Sequence, residues 1–515
     1  MRGALGRGAA VCAALLALPL PLGAQSIDAA ALLAKHQAYV GWHAGDGNVR
    51  TLRLTGIVTR GAKTVGSIRR LYYGYAYRRT RIDDLAVTSD DGFTGSLFWS
   101  TSANGFTVRP AGDAARFLAD EDTVFGEHTG DLSAAFVRRE TLDGAEVVVL
   151  RLTGPVILPL EVTVDPSTGA YRAFTIDPGG KYERSYGALA YTGVDGKHFL
   201  STWRTGNSTV VLHSIEPNAA VGADDVHPPK QTATWSFGTA PARAEITTAD
   251  QTRRAEAIVI DAAVNGVRGR FLLDTGASGT FLSEGFARRV GAVRIGNAHF
   301  GGIGPDVATA TTYHVDAIAV GGSTLHDVIV HGGVFETGMK LEGVVGVIGF
   351  DLLGGALVDL DLDAGTLRVL DPAAVAPDES RGFVLHVDLS SYLMRVPMKV
   401  DERLDVLATL DTGDPLQVLF APELVTQRKV AFAPDVGHPF GWTSYLSGVG
   451  GIEIDRCGKL GSVTLGAIAY DRVPACISSS IGRGQMLVGL DFLKHFNYVF
   501  DYPHGTVLMT YRKGS

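Results

Sequence analysis

The tripeptide Asp-Thr-Gly occurs twice in this chain, as Asp274-Thr275-Gly276 and Asp411-Thr412-Gly413, each time after an apolar run. A carboxylate at a strand end is held there in a tight turn that Gly permits. The Thr hydroxyl is free to bond across to a second turn of the same kind and fix the two together. Two such turns face to face bring two carboxyls within hydrogen-bond reach, where both cannot ionise. They share one proton, so at a single pH one is a base and the other an acid.

One Asp-Thr-Gly alone carries little weight, because Asp followed by Gly is common in turns. Here whole segments repeat. AIVIDAAVNGVRGRFLLDTGASGTFLSEGFARRVG leads on to VVGVIGFDLLGGALVDLDLDAGTLRVL, and VLHVDLSSYLMRVPMKVDERLDVLATLDTGDPLQVLFAPELV leads on to MLVGLDFLKHFNYVFDYPHGTVLM. Each copy has an apolar run into the turn, a loop-rich middle, an apolar-apolar-Gly element and a closing strand pair. Gly349 follows Asp274 by 75 positions and Gly489 follows Asp411 by 78, and duplication is the simplest explanation.

FLLDTGAS with VIGFD, and TLDTGDP with LVGLD, resemble the retropepsin and pepsin type of aspartic peptidase, with the bacterial periplasmic relatives of the retropepsin type closest in flavour. The resemblance covers about residues 253–512. It implies a mainly β fold of two tandem retropepsin-like β-barrel lobes, residues 250–372 and 383–515, forming one bilobal unit. It carries the catalytic role to Asp274 and Asp411. Support of the active-site turns falls to Thr275, Gly276, Ser278, Thr412, Gly413, Gly349 and Gly489. The implied reaction is peptide-bond hydrolysis by a water held between the two carboxyls, with no metal and no organic cofactor. Because one chain holds both halves, a monomer is implied. A polypeptide substrate would lie extended in the cleft as an added strand, under Gly-rich hairpins. The candidate covers are GGIGP, with Gly302 and Gly304, and SGVGG, with Gly448 and Gly450; the alternative for each is an ordinary surface turn. The second turn departs from the family pattern. It continues Asp414-Pro415, which adds a carboxylate and removes a backbone donor. Pointing inward, Asp414 would raise the pKa values of the pair; it could equally face solvent.

The elements around these turns divide the chain. At 515 residues about three domains are expected. With 46% hydrophobic and 19% charged residues the chain is able to bury sizeable cores, and its 64 Gly suit a turn-rich β architecture. A net charge of −8 and the lack of a basic face exclude a nucleic-acid partner. Residues 1–24 read as an export signal: Arg2 and Arg7, an apolar stretch from Ala9 to Leu20 too short for a span of about 20 residues, then Leu22-Gly23-Ala24. Cys12, inside that stretch, reads as an ordinary residue of it. Nothing later is long enough to span a membrane as a helix, so the expected location is periplasmic or secreted. In an oxidising compartment Cys457 and Cys476 invite a disulfide, with a turn near Gly466-Ala467 setting them opposite each other. Two free buried thiols or half a metal site are the alternatives.

Residues 25–240 read as an N-terminal antiparallel β domain. A helix is expected from Ser26 to about Trp42 with an apolar stripe of Ala30, Leu33, Ala34 and Ala38, followed by a meander of strands. Joints are expected at HPPKQTATWSFGTAPARAE and at DPAAVAPDESRG. The Tyr-rich run LYYGYAY reads as one face of a sheet, and His326, His331 and His495 as edge or surface residues. The region faintly resembles the half-barrel of periplasmic lipoprotein carriers. A docking module, an inhibitory pro-region and a lipid or hydrophobic-peptide binder are its three candidate roles. No His-Glu-x-x-His, Gly-x-x-x-x-Gly-Lys or Gly-x-Ser-x-Gly occurs. Two readings of the whole follow: an exported aspartic endopeptidase, or a non-catalytic exported peptide- or lipid-binding protein on a degenerate peptidase cleft.

Overall fold

The computed structural model describes residues 27–513, apart from 84–85, 111, 131, 155–156, 251–254, 305–307, 334–341, 417, 434–441, 449–450 and 483–484. The expected export signal, with Cys12, lies outside these residues, as does Gly450. The fold is mainly β, and no helix among the described residues is long and apolar enough to cross a membrane.

The N-terminal region is a single thirteen-stranded antiparallel sheet. Two meanders, from Thr51–Arg60 to Thr107–Val108 and from Ser133–Leu142 to Ser208–Pro217, lie side by side because the first strand of one pairs with the last strand of the other. Side chains alternate between faces with the strand period of two, and the buried face curls as a half-barrel around two helices, α1 (Ala29–Val40) and α2 (Gly112–Phe125). Tyr72 and Tyr77 sit directly opposite each other and are buried, while Tyr73 and Tyr75 face solvent. The space between Trp42, Phe125, Phe199 and Trp203 is about 10 Å³, room for about one water at most.

Both helices correct the sequence expectation. Asp28 caps α1 by accepting from Ala31 N at 3.0 Å, and Gly41 ends it at a φ of 72°. Its buried face is Ala29, Leu32, Leu33, His36 and Val40, whereas Ala30, Ala34 and Ala38 are exposed. The stripe turns because His36 is sequestered at its centre, bonded to Gly169 O and Glu127 Oε2, each at 2.9 Å, and stacked 3.4 Å from the Tyr171 ring. The domain was expected to hold one short helix, and α2 is a second. Its Asp120-Glu121-Asp122 run is buried, against the usual preference for exposed charge. The sheet supplies partners: Arg79 reaches Glu121 at 2.6 Å, Tyr186 donates to Glu121 at 2.9 Å, and Tyr72 donates to Asp122 at 3.0 Å.

In the C-terminal region one pairing pattern occurs twice. Val267–Leu273, which runs into Asp274, lies parallel to Val344–Ile348, which runs into Gly349. Phe281–Leu282 fits antiparallel beside Val344–Ile348 and parallel to Ser323–Gly332. Leu404–Leu410, Gln485–Val488, Val418–Phe420 and Pro474–Ile477 repeat this arrangement around Asp411 and Gly489. The closing strand pairs do not stay with their own halves. Leu357–Asp361 pairs with Phe496–Asp501, and the run Ala242–Asp250, Thr366–Leu370, Leu357–Asp361, Phe496–Asp501, Thr506–Tyr511, Phe383–His386 is continuous. Thr234–Ser236 pairs with Ser323–Gly332, so strands of this region begin before residue 250. One hydrophobic core extends across both halves.

Candidate active site

Each Asp-Thr-Gly turn is fixed first by its own half. Asp274 N donates to Ile348 O at 3.0 Å, and Asp411 N to Val488 O at 2.8 Å. The glycines that end those neighbouring strands pass so close to the turns that no side chain fits. A Cβ on Gly349 would lie 2.4 Å from Gly279 O, and one on Gly489 would lie 2.2 Å from Leu416 O. Short helices follow, and their first amides return to the turns: Phe350 N to Ala277 O at 2.9 Å, Leu490 N to Asp414 O at 2.6 Å.

The two halves then hold each other. Thr275 Oγ1 donates to Leu410 O and Thr412 Oγ1 to Leu273 O, both at 2.7 Å. Each hydroxyl also accepts the other Thr's backbone N–H at 3.1 Å. Both threonines are buried, so these four bonds form away from water. The carboxyls cross over one another. A Cβ on Gly276 would strike the Asp411 carboxyl carbon at 2.2 Å, and one on Gly413 would strike that of Asp274 at 2.4 Å. Only Gly leaves that space.

The electrostatics differ between the pair. Burial pushes Asp274 well above the usual carboxylate range, and the neighbouring charge of Asp411 adds to this. Asp411 is raised by burial too. It is held lower by a hydrogen bond from Asp274 and by the backbone N–H groups of Gly413 and Asp414, at 2.8 and 3.2 Å. Both residues keep partial exposure, so solvent reaches them. Asp414 points inward and is buried; desolvation, then the charges of Asp411 and Asp455, raise it to about 8. It is therefore mostly protonated at neutral pH, and its Oδ1 accepts from Leu416 N at 3.0 Å.

Ser278 is half-buried and makes no hydrogen bond among the described residues; Thr280, which sequence reasoning missed, accepts from Gly349 N at 3.3 Å. Gly302 and Gly304 lie beyond the Val293–Phe300 and Ala308–Val320 hairpin strands, and Gly304 N reaches the other half at Ser480 Oγ, 2.9 Å away. Gly448 pairs with Gly451 at the end of the Trp442–Gly448 and Gly451–Leu460 hairpin. Cys457 and Cys476 face each other and form a disulfide with a Cα–Cα distance of 4.0 Å. The ladder continues to the expected turn, where Gly466 has a φ of 57°. The disulfide and Leu419 form a buried cluster under Ile303 and Leu416. His331, expected at an edge or surface, is instead buried against Phe281 and Phe300, which lowers it to about 4.

Residues 260–354, spanning Asp274 to Gly349, match the family described as "gag-polyprotein putative aspartyl protease". This stretch is thus an aspartyl-protease-like region. No match was found among curated proteins. Two solved structures are similar over part of the chain. A DUF1329 family protein from Desulfovibrio piger is 11% identical, with a TM-score of 0.28, covering 38% of this chain and 95% of its own. A LolA superfamily protein from Nitrosomonas europaea is 11% identical, with a TM-score of 0.29, covering 39% and 98%.

Proposed function

We propose that this chain is an exported aspartic endopeptidase, with Asp274 and Asp411 as its catalytic pair. The observation that carries the reading is the mutual grip of Thr275 and Thr412, which sets two carboxyls over each other's glycines. Asp411, with two backbone donors and the bond from Asp274, better tolerates charge and takes the proton of the attacking water. Asp274, which burial and its neighbour keep protonated, donates to the carbonyl oxygen of the scissile bond. The water oxygen bonds to the carbonyl carbon, and the tetrahedral adduct then expels the amine with a proton returned from the pair.

In this reading residues 250–372 and 383–515 form the retropepsin-like lobes, joined by the strands Thr234–Ser236 and Ala242–Asp250 ahead of them, and the half-barrel is the N-terminal β domain. The substrate is a polypeptide lying extended beneath the hairpins that carry Gly302, Gly304 and Gly448. A single chain is sufficient as a monomer. The disulfide and the N-terminal apolar stretch support export. The test is cleavage of a denatured protein between about pH 3 and 7, where carboxyl pairs exchange protons. Asp274→Asn and Asp411→Asn should each lower cleavage by at least about a hundredfold. Cleavage surviving in either variant would sink the pair. A folded protein that cleaves nothing at any pH would return the chain to the non-catalytic binding reading.

A further inference from the structure

The first meander ends in the strands Phe98–Thr101 and Thr107–Val108, and the loop between them enters the C-terminal region. Asn104 is fully buried there. Its Nδ2 donates to Asp351 O at 2.9 Å and Ile329 O at 3.1 Å, and its Oδ1 accepts from Ile329 N at 2.7 Å. Phe106 and Val108 belong to the main C-terminal core, and the Phe106 ring lies on Gly355 so closely that a Cβ there would sit 2.2 Å from it. Ser100 donates to the Tyr392 hydroxyl at 2.6 Å, and that hydroxyl donates to Thr101 O at 2.7 Å.

Asp351 stands in the short helix Phe350–Leu353. The last carbonyls of a helix have no partner within it, and a four-residue helix consists almost wholly of such ends. Asn104 satisfies one of them. The same helix begins with Phe350 N bonded to Ala277 O, and its cap Gly349 lies against Ala277 O and Gly279 O. A continuous path of hydrogen bonds and close backbone contacts thus runs from Asn104 through the helix to the turn that holds Asp274. The corresponding helix after Gly489, Leu490–Leu493, is tied from within its own half, where the Tyr498 hydroxyl donates to Leu493 O.

We propose that the N-terminal half-barrel is a resident brace of the Asp274 turn, with Asn104 as its positioning residue, and is not a pro-region removed on activation. A removed pro-region would strip Phe106 and Val108 from the core and leave Asp351 O and Ile329 N without their partners.

Two measurements on the full chain test this. With a specific protease site inserted at exposed Gly222, the cut chain should elute as one species on size exclusion. Separation of the fragments, with the C-terminal piece keeping its hydrogen-exchange protection, would overturn the brace. In Asn104→Ala, amides of 274–280 and 349–354 should exchange about tenfold faster, while those of 411–416 and 489–493 stay unchanged. Asn104→Ser, which keeps one donor, should fall between. Arg428→Ala cuts the same domain interface elsewhere, at Glu183 and Gly179 O, and should leave the first turn's exchange unaltered. Equal acceleration in Arg428→Ala, or none in Asn104→Ala, would overturn the positioning role. The proposal rests on the peptidase reading only for its kinetic readout, a fall of about tenfold in kcat with KM unchanged. The exchange result stands whether or not peptides are cleaved, so failure of the brace and failure of the peptidase reading are read apart.

Discussion

The two halves of the C-terminal region place the same backbone around each Asp and then secure it with different chemistry. At matched register, Phe281 and Leu419 each lie between two strands, beside His331 in one half and Cys476 in the other. The cross-strand partner of His331 is Thr312, which it meets by a hydrogen bond of 3.4 Å; the partner of Cys476 is Cys457, which it meets covalently. Each half also buries an acid beside its active-site turn or the short helix that follows, in a different place. The first half hides Asp351 in its short helix, raised to about 7 by burial, and has Ala277 in its turn. The second half hides Asp414 in the turn, and its helix residue Asp491 is exposed and paired with Lys494 at 2.7 Å. The features that the halves share are the strand pairing, the close passage of Gly349 and Gly489, and the threonine grip between the turns. The features that differ are side-chain staples, which several chemistries are able to supply.

The shared features should respond alike. Gly349→Ala and Gly489→Ala each drive a Cβ into backbone oxygen at under 2.5 Å. Each should cost about 3 kcal/mol in denaturant unfolding and, on the proposed peptidase reading, most of the cleavage activity. A variant that matches the unsubstituted protein in either half would break the equivalence.

Losing the covalent staple should be nearly as costly. Cys476→Ser should destabilise the chain by about 3 kcal/mol, the entropy of a loop of 19 residues. Thr312→Val, which removes only a long neutral hydrogen bond, should cost about 1 kcal/mol. Chemical denaturation with and without reductant measures both, and equal losses would show that the staples are interchangeable.

Thr275→Val and Thr412→Val keep shape and lose the grip. Each should cost about 2 kcal/mol, and the double variant should cost less than the sum, because each loss disables the same interface. Strict additivity in a double-mutant cycle would mean that the turns are held independently.

The smallest effects separate the halves by pH. Folding lowers His331 to about 4 from its usual 6.5, so the unfolded chain binds more protons between those values and stability falls as pH drops through them. Folding raises Asp414 to about 8 from 3.8, so the folded chain binds more protons there and stability falls as pH rises from 4 to 8. His331→Gln should therefore flatten the acid side of a plot of Tm against pH, and Asp414→Asn the neutral side, each by about 2–4 °C. Asp414→Asn leaving the neutral side as steep as before would assign that slope to other buried acids, such as Asp120 and Asp122, raised to about 8 and about 7.

Local chemistry made part of this legible from sequence. The turn at Gly466 and the facing of Cys457 and Cys476 follow from counting along one hairpin ladder. The antiparallel meander followed from alternation and turn residues. Helix α2 was hidden because Asp120, Glu121 and Asp122 signal an exposed surface until Arg79 and two tyrosines, 40 or more residues away in sequence, are brought against them. The buried face of α1 was misread for a related reason. A histidine reads as polar unless a carboxylate and a carbonyl from distant segments enclose it, as Glu127 and Gly169 do.

By itself, the sequence determined the two Asp-Thr-Gly turns, the glycines that must pass them and the pairing of the two cysteines. These depend on steric limits and short-range register, which neighbouring residues set. Only the tertiary structure decided that Asp414 faces inward, that the closing strands of both halves join one run, and that Asn104 of the half-barrel reaches the helix beneath Asp274. Those outcomes depend on desolvation and on contacts between segments more than 100 residues apart, and no local pattern encodes either.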